Sequence, residues 1–274
     1  MITDLAWLSD VHLNFLQAPG AVHGFGEYVS ADLAGYKHPA VLITGDIAEY
    51  SSLQPLLLDF VHGLQTSRHI PLYFVLGNHD AYGGSIAGMR RIAQQIHSES
   101  ACWLTEAGVV ELTPHVALVG HDGWYDGQFG DPRGSQVQLN DFYQIEELTQ
   151  SPRPALLRQL HRLGIQSARD LKPTLQQAAK RYSRVLVATH APPFRDACWH
   201  DGAISDEQWL PWFTNKAMGM MLLDVSGDHQ ETAFEVFCGH THSAGEYQAL
   251  PNLRVSTAPA KYGAPAIHRV IDLE

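Results

Sequence analysis

Six short apolar runs limit most sharply what this chain can fold into. Residues 5–8, 40–44, 72–76, 116–119, 185–189 and 234–238 are rich in Val, Leu, Ile or Phe. Each has the length of a buried strand. Five of them run directly into polar groups: Ser9-Asp10-Val11-His12, Gly45-Asp46, Gly77-Asn78-His79-Asp80, His190, and Gly239-His240-Thr241-His242. In layered α/β proteins ligands bind at the carboxyl ends of strands, so these side chains can converge on one crevice. The glycines before Asp46, Asn78 and His240 suit tight turns that bring backbone close to a small site.

Between the runs, residues 52–68 and 85–96 fit amphipathic helices. Residues 154–182 fit one long helix or a pair broken at Gly164 and Pro173. Residues 253–256 and 267–273 add strands. The β-α-β start followed by more strands predicts an α/β layered fold with one mixed sheet or two. A chain of 274 residues can bury a large core. With no internal repeat and no linker, one domain over residues 1–274 is expected. Two long loops, 120–154 and 191–206, are expected near the site, since such loops are usually functional or mobile.

Composition narrows the partners. The formal charge of −11 argues against a broad nucleic-acid surface, which needs Lys and Arg to neutralise phosphates. A small anionic substrate stays compatible, because bound cations reverse the local field. Three scattered cysteines, Cys102, Cys198 and Cys238, suit neither a disulfide framework nor a thiolate zinc site. No apolar run is long enough to span a bilayer, and no signal-peptide pattern precedes residue 5. The expected location is the cytoplasm.

Taken singly, each polar group has a plain structural reading. Asp10 and Asp46 suit helix caps or turns, His190 suits a hydrogen-bonded core histidine, and His240 and His242 could share one strand face. Caps and turns do not explain why such groups recur at five strand ends. A mixed oxygen and nitrogen donor set without thiolate favours Mn, Fe, Zn, Co or Ni. A shared carboxylate fits two cations about 3.5–4 Å apart, the spacing of two-metal hydrolytic sites.

The order Asp-x-His, Gly-Asp, Gly-Asn-His-Asp, His, Gly-His-Thr-His resembles the calcineurin-like metallophosphoesterase family in five blocks between Asp10 and His242. The resemblance implies a four-layer α/β sandwich, two mixed β-sheets flanked by α-helices. It implies one metal held by Asp10, His12 and His242, a second by Asn78, His190 and His240, and Asp46 bridging them. His79 would contact the phosphate or protonate the leaving oxygen, with Asp80 holding its ring. A general acid must keep a proton, so His79 is expected not to be a metal ligand. The implied activity is hydrolysis of a small phosphate ester by water held between the metals, with a nucleotide-like diester preferred over a monoester.

Within that family the protein Ser/Thr phosphatase branch is disfavoured, because Asp46 runs on into Ile47-Ala48-Glu49 rather than Arg-Gly. A repair nuclease would share residues 9–13, but the acidic balance counts against it. A lipid-precursor pyrophosphatase would need an apolar cap, which residues 120–182 do not resemble. A non-catalytic scaffold would have lost ligands, whereas all seven proposed ligands and His79 are present. Weaker candidates are residues 121–125, Arg195, Trp199, His200 and Lys261. The stripe Trp209, Trp212, Phe213, Met218, Met220 and Met221 reads as core.

Overall fold

The computed structural model describes residues 1–274. The chain forms β1 (Asp4–Leu8), β2 (Pro39–Thr44), β3 (Leu72–Val75), β4 (Ala101–Trp103), β5 (Val110–Glu111), β6 (Val116–Gly120) and β7 (Arg184–Ala188). It continues through β8 (Trp199–His200), β9 (Ala203–Ile204), β10 (Ala233–Cys238), β11 (Gly245–Leu250), β12 (Leu253–Thr257) and β13 (Arg269–Asp272). The long helices are α1 (Ala21–Asp32), α2 (Tyr50–Leu64), α3 (Ile86–Ile96), α4 (Arg153–Ala179) and α5 (Lys216–Asp228).

Two mixed sheets result. The first has the order β13-β1-β2-β3-β4 and the second β11-β12-β10-β7-β6-β5, while β8 and β9 form a separate hairpin. In the first sheet β1 to β4 are parallel and β13 closes the edge antiparallel to β1. In the second, β12, β10, β7 and β6 are parallel, with β11 and β5 antiparallel at the edges.

Alternation along the strands explains the layering. Leu5 and Trp7 of β1 face Leu118, Leu186 and Phe237 of the other sheet in one buried cluster. Their neighbours Ala6 and Leu8 face the opposite way, into a cluster with Val22, Leu57, Phe60 and Met89 of α1 to α3. On the second sheet Val185, Val187 and Val236 pack against Leu171 and Leu175 of α4 and Leu222 of α5. Both faces of both sheets are therefore covered, which is why the strands read as continuous apolar runs. The layers run helix, sheet, sheet, helix. No helix is long and apolar enough to cross a membrane.

The structure refines three points. The long helix is unbroken from Arg153 to Ala179, through both Gly164 and Pro173. A proline in a helix interior costs about 3 kcal/mol. Here burial of Leu156, Leu160, Leu171, Leu175 and Ala178 along one face offsets it. Helix α1 was not anticipated, because Gly24 and Gly26 weaken helix propensity. Gly26 has a packing reason: a Cβ there would strike the Phe60 carbonyl and the Leu64 amide of α2. The aromatic and methionine stripe is divided by Thr214 and Asn215, and the Asn215 side chain accepts from the Met218 amide to cap α5. Most of it is core, but Met220 is exposed.

Candidate metal centre

The five polar blocks lie at the carboxyl ends of β1, β2, β3, β7 and β10, all parallel members of their sheets. They meet at one end of the sandwich, where these internal strands of both sheets terminate. One group of donors, Asp10, His12, Asp46 and His242, has its ligand atoms within 4.8 Å of one another. A second group, Asp46, His190 and His240, does the same. Asp46 belongs to both. Its Oδ1 lies 3.3 Å from His190 Nε2 and its Oδ2 3.8 Å from His12 Nε2. Asn78 joins the second group, with Oδ1 3.0 Å from His190 Nε2.

Local backbone geometry sets these positions. Seven non-glycine residues adopt a positive φ, and five of them are Asp10, His12, Asp46, His240 and His242. That region is unfavourable for residues with a Cβ and is found where surroundings over-determine the chain. Gly77 serves close approach instead, because a Cβ there would strike Asp46 Oδ1 and the His190 ring.

The imidazoles of the second group are oriented by backbone. His190 Nδ1 donates to the Thr44 carbonyl at 2.9 Å, which leaves Nε2 facing inward. His240 Nε2 donates to the Trp212 carbonyl at 2.9 Å, which leaves Nδ1 free to face the site. A carbonyl can only accept, so each bond fixes the tautomer. Such partners behind ligand histidines are characteristic of metal sites.

Asp141 was not anticipated as a site residue, although its loop was. It is buried and accepts from Asn78 Nδ2 at 3.1 Å, Tyr82 Oη at 2.6 Å and Tyr125 Oη at 2.7 Å. The first contact turns the Asn78 carbonyl oxygen inward. Its signal in the sequence, one Asp in a loop with several, is too weak to single it out.

The electrostatics call for positive charge. Burial opposes ionisation of Asp10 and Asp46, yet the surrounding histidines hold both carboxyls below their usual range. Burial disfavours the charged form of His190, but Asp46 and Asp10 outweigh it and raise the group to about 10. Burial pushes His12 and His240 down to about 4, so both are neutral donors at pH 7. The Nε2 atoms of His12 and His242 face one another at 3.1 Å, and His12 Nδ1 is buried without any acceptor. Ionised carboxylates beside neutral imidazoles that keep one nitrogen turned toward the site form a donor set suited to cations.

A model of the calcineurin-like phosphoesterase family matches residues 4–244. The chain belongs to this family. It is a metal-dependent phosphoester hydrolase. Phosphopantetheinyl hydrolase from Mycobacterium tuberculosis has a similar solved structure, with a TM-score of 0.65 and 15% identity over 94% of this chain and 89% of that one. A dimetal phosphatase from Danio rerio matches with a TM-score of 0.56 and 16% identity over 93% of this chain and 87% of that one. At those identities the likeness is one of fold. No curated protein sequence matches.

Calcineurin-like phosphoesterases typically bind two metal ions, and the two donor groups provide for two. The remaining candidates sort by geometry. His79 is 19% exposed on the open side of the site, its amide donating to Asp46 Oδ1 at 2.9 Å and its ring stacked on Tyr82 at 4.1 Å. Asp80 does not hold that ring. Its carboxylate accepts from the amides of Ile47, Ala48 and Gly77 at 2.9, 2.9 and 2.7 Å, tying the loops after β2 and β3 together. Asp122 is likewise a brace, accepting from Leu76 N, Trp103 Nε1, Thr105 Oγ1 and Arg90 Nε. Trp124 is core, and Tyr125 stacks on His240. Arg195 is paired with Glu207 away from the donors.

A groove of about 340 Å³ opens over the donors. Its walls include His79, His200, Trp209, Phe213 and Tyr262. Trp209 and Phe213 stack at 5.1 Å, and His200 packs against both. Tyr262 stands beside His12 at 4.5 Å and His242 at 4.9 Å. Lys261, one of the weaker candidates, lines a second cavity with Ser9, Asp10 and Pro259 rather than the groove. Its neighbour Tyr262 is the residue that faces the donors.

Proposed function

We propose that this phosphoesterase hydrolyses a small nucleotide-like phosphodiester, with Asp10, His12 and His242 holding one metal, Asn78, His190 and His240 the other, and Asp46 shared. The observation that carries the substrate preference is the aromatic groove beside His79. A diester has a second substituent on phosphorus. Trp209, Phe213 and Tyr262 offer planar apolar faces on which a base or aryl group can stack, worth roughly 0.5–1.5 kcal/mol per ring pair. Two bound cations would polarise the phosphoryl oxygens and make bound water a stronger nucleophile. Candidate metals are Mn, Fe, Zn, Co and Ni.

The chain's own residues do the rest. Asp46 supplies one oxygen to each donor group. Thr44 and Trp212 carbonyls hold the rings of His190 and His240, and Asp141 holds Asn78. His79, free of any donor group and open to the groove, carries a proton to the leaving oxygen. Asp80 acts at one remove, fixing the loop that bears His79 and Asp46. The core shared between the sheets supports a single domain over residues 1–274, and three free cysteines suit a reducing cytoplasm.

Hydrolysis of bis(p-nitrophenyl) phosphate and of p-nitrophenyl phosphate with added Mn²⁺ tests this reading. The diester is expected to have the higher kcat/KM. A clear preference for the monoester would make the enzyme a phosphatase, and activity on neither with two metals bound would sink the catalytic assignment.

A further inference from the structure

A cavity of about 800 Å³, more than twice the volume of the groove over the donors, lies against the start of α4. Gln128, Arg133, Arg153, Arg158 and His161 are among its walls, and no Asp or Glu is. Six guanidiniums elsewhere are paired with carboxylates: Arg90 with Asp122, Arg181 with Glu111, Arg184 with Glu235, Arg195 with Glu207, and Arg254 and Arg269 with Glu246, while Arg68, Arg91, Arg162 and Arg169 stand singly. Arg133, Arg153 and Arg158 have no such partner.

Arg153 is held in place. Its guanidinium lies over the Trp212 ring at 4.8 Å, and Nη2 donates to the Ser135 carbonyl at 3.1 Å. Its Nη1 is buried with no acceptor, and so is Nδ1 of His161. Asp126 lies close enough to feel His161, but its oxygens accept from the amides of Gln128 at 3.0 Å and Ala217 at 2.9 Å. In a chain with a net charge of −11, three unpaired guanidiniums around one cavity are a local reversal of sign. Cations gathered without counter-charge repel one another, and an entering anion removes that repulsion. Guanidinium groups match phosphate oxygens in bidentate geometry, and the volume is that of a small-molecule site.

We propose that this cavity is a second anion site, separate from the metal centre, for a small molecule carrying phosphate groups. The anion is either a distant part of the substrate or an independent molecule. Calorimetric titration of the metal-loaded enzyme with inorganic pyrophosphate tests the site. Two binding events are expected, one at the metals and one at the cavity. The Arg133→Glu/Arg158→Glu variant, changed only at exposed positions, should lose the second by at least about tenfold in affinity. Hydrolysis of the nitrophenyl esters should be unchanged. Arg158→Lys, which keeps the charge, should retain most of the binding. A single event in the wild type, or two that survive the double charge reversal, overturns the proposal. Alongside lost binding, a higher KM for a substrate bearing a second phosphate assigns the anion to the substrate, and an unchanged KM assigns it to an independent molecule.

Discussion

The two donor groups share Asp46 and differ in how their imidazoles are held. Around His190 and His240, backbone carbonyls fix the rings, and Asp141 fixes Asn78. Around His12 and His242 no carbonyl plays that part, and the outer nitrogen of His12, Nδ1, has no partner at all. Their Nε2 atoms meet each other, and the His12 ring is confined by Phe15, His79 and Tyr262. His242 is also 23% exposed, whereas His190 is 4% exposed. One half is oriented before any cation arrives. The other relies on packing and on the cation itself. The lesson is that symmetry of ligand types does not imply symmetry of affinity, because the groups behind the ligands decide it.

Removing what the halves share has the largest expected effect. Asp46→Ala should empty both positions and lower hydrolysis by at least about a thousandfold, read by metal analysis and by rate. Retention of either metal would break the shared-carboxylate assignment. Next comes His79→Ala, which should lower kcat by about a hundredfold while both metals stay bound. Loss of metal in that variant would make His79 a ligand. Asp141→Ala sharpens the contrast itself. It should weaken only the His190 metal, by roughly 10–100-fold, as measured by competition with a chromogenic chelator. The unpaired hydroxyls of Tyr82 and Tyr125 should cost about 1–3 kcal/mol each at most, visible in thermal melting. Equal weakening of both metals would mean that Asp141 is merely structural. The smallest effect is expected for Tyr262→Ala. KM for an aryl diester should rise a few-fold, in line with about 1 kcal/mol of stacking, while kcat stays near the wild-type value.

What could be read from sequence alone follows the same divide. The apolar runs were legible because both faces of each sheet are covered, and their last residues marked the site because parallel strands end on one side. Residues such as Asp46 and His190 therefore stood out. The supporting groups did not. The Thr44 and Trp212 carbonyls belong to backbone, which has no sequence signature. Asp141 reaches Asn78 only because its loop folds back over β3. Asp80 misled for a related reason: the family resemblance implied a ring partner for His79, yet three backbone amides claim its oxygens. Pro173 left one helix or a broken pair open, because local propensity alone does not register the burial that carries a helix of 27 residues through it.

The left-handed backbone at Asp10, His12, Asp46, His240 and His242 sets the chemistry against the durability of the fold. Each such residue with a Cβ raises the free energy of the folded chain by about 1–2 kcal/mol, a penalty that glycine escapes. Replacing His242, the most exposed of these histidines, by Gly should therefore make the metal-free protein melt at a higher temperature while abolishing hydrolysis. Unselected drift toward heat resistance would erode these positions first, so only continued use of the activity can keep them.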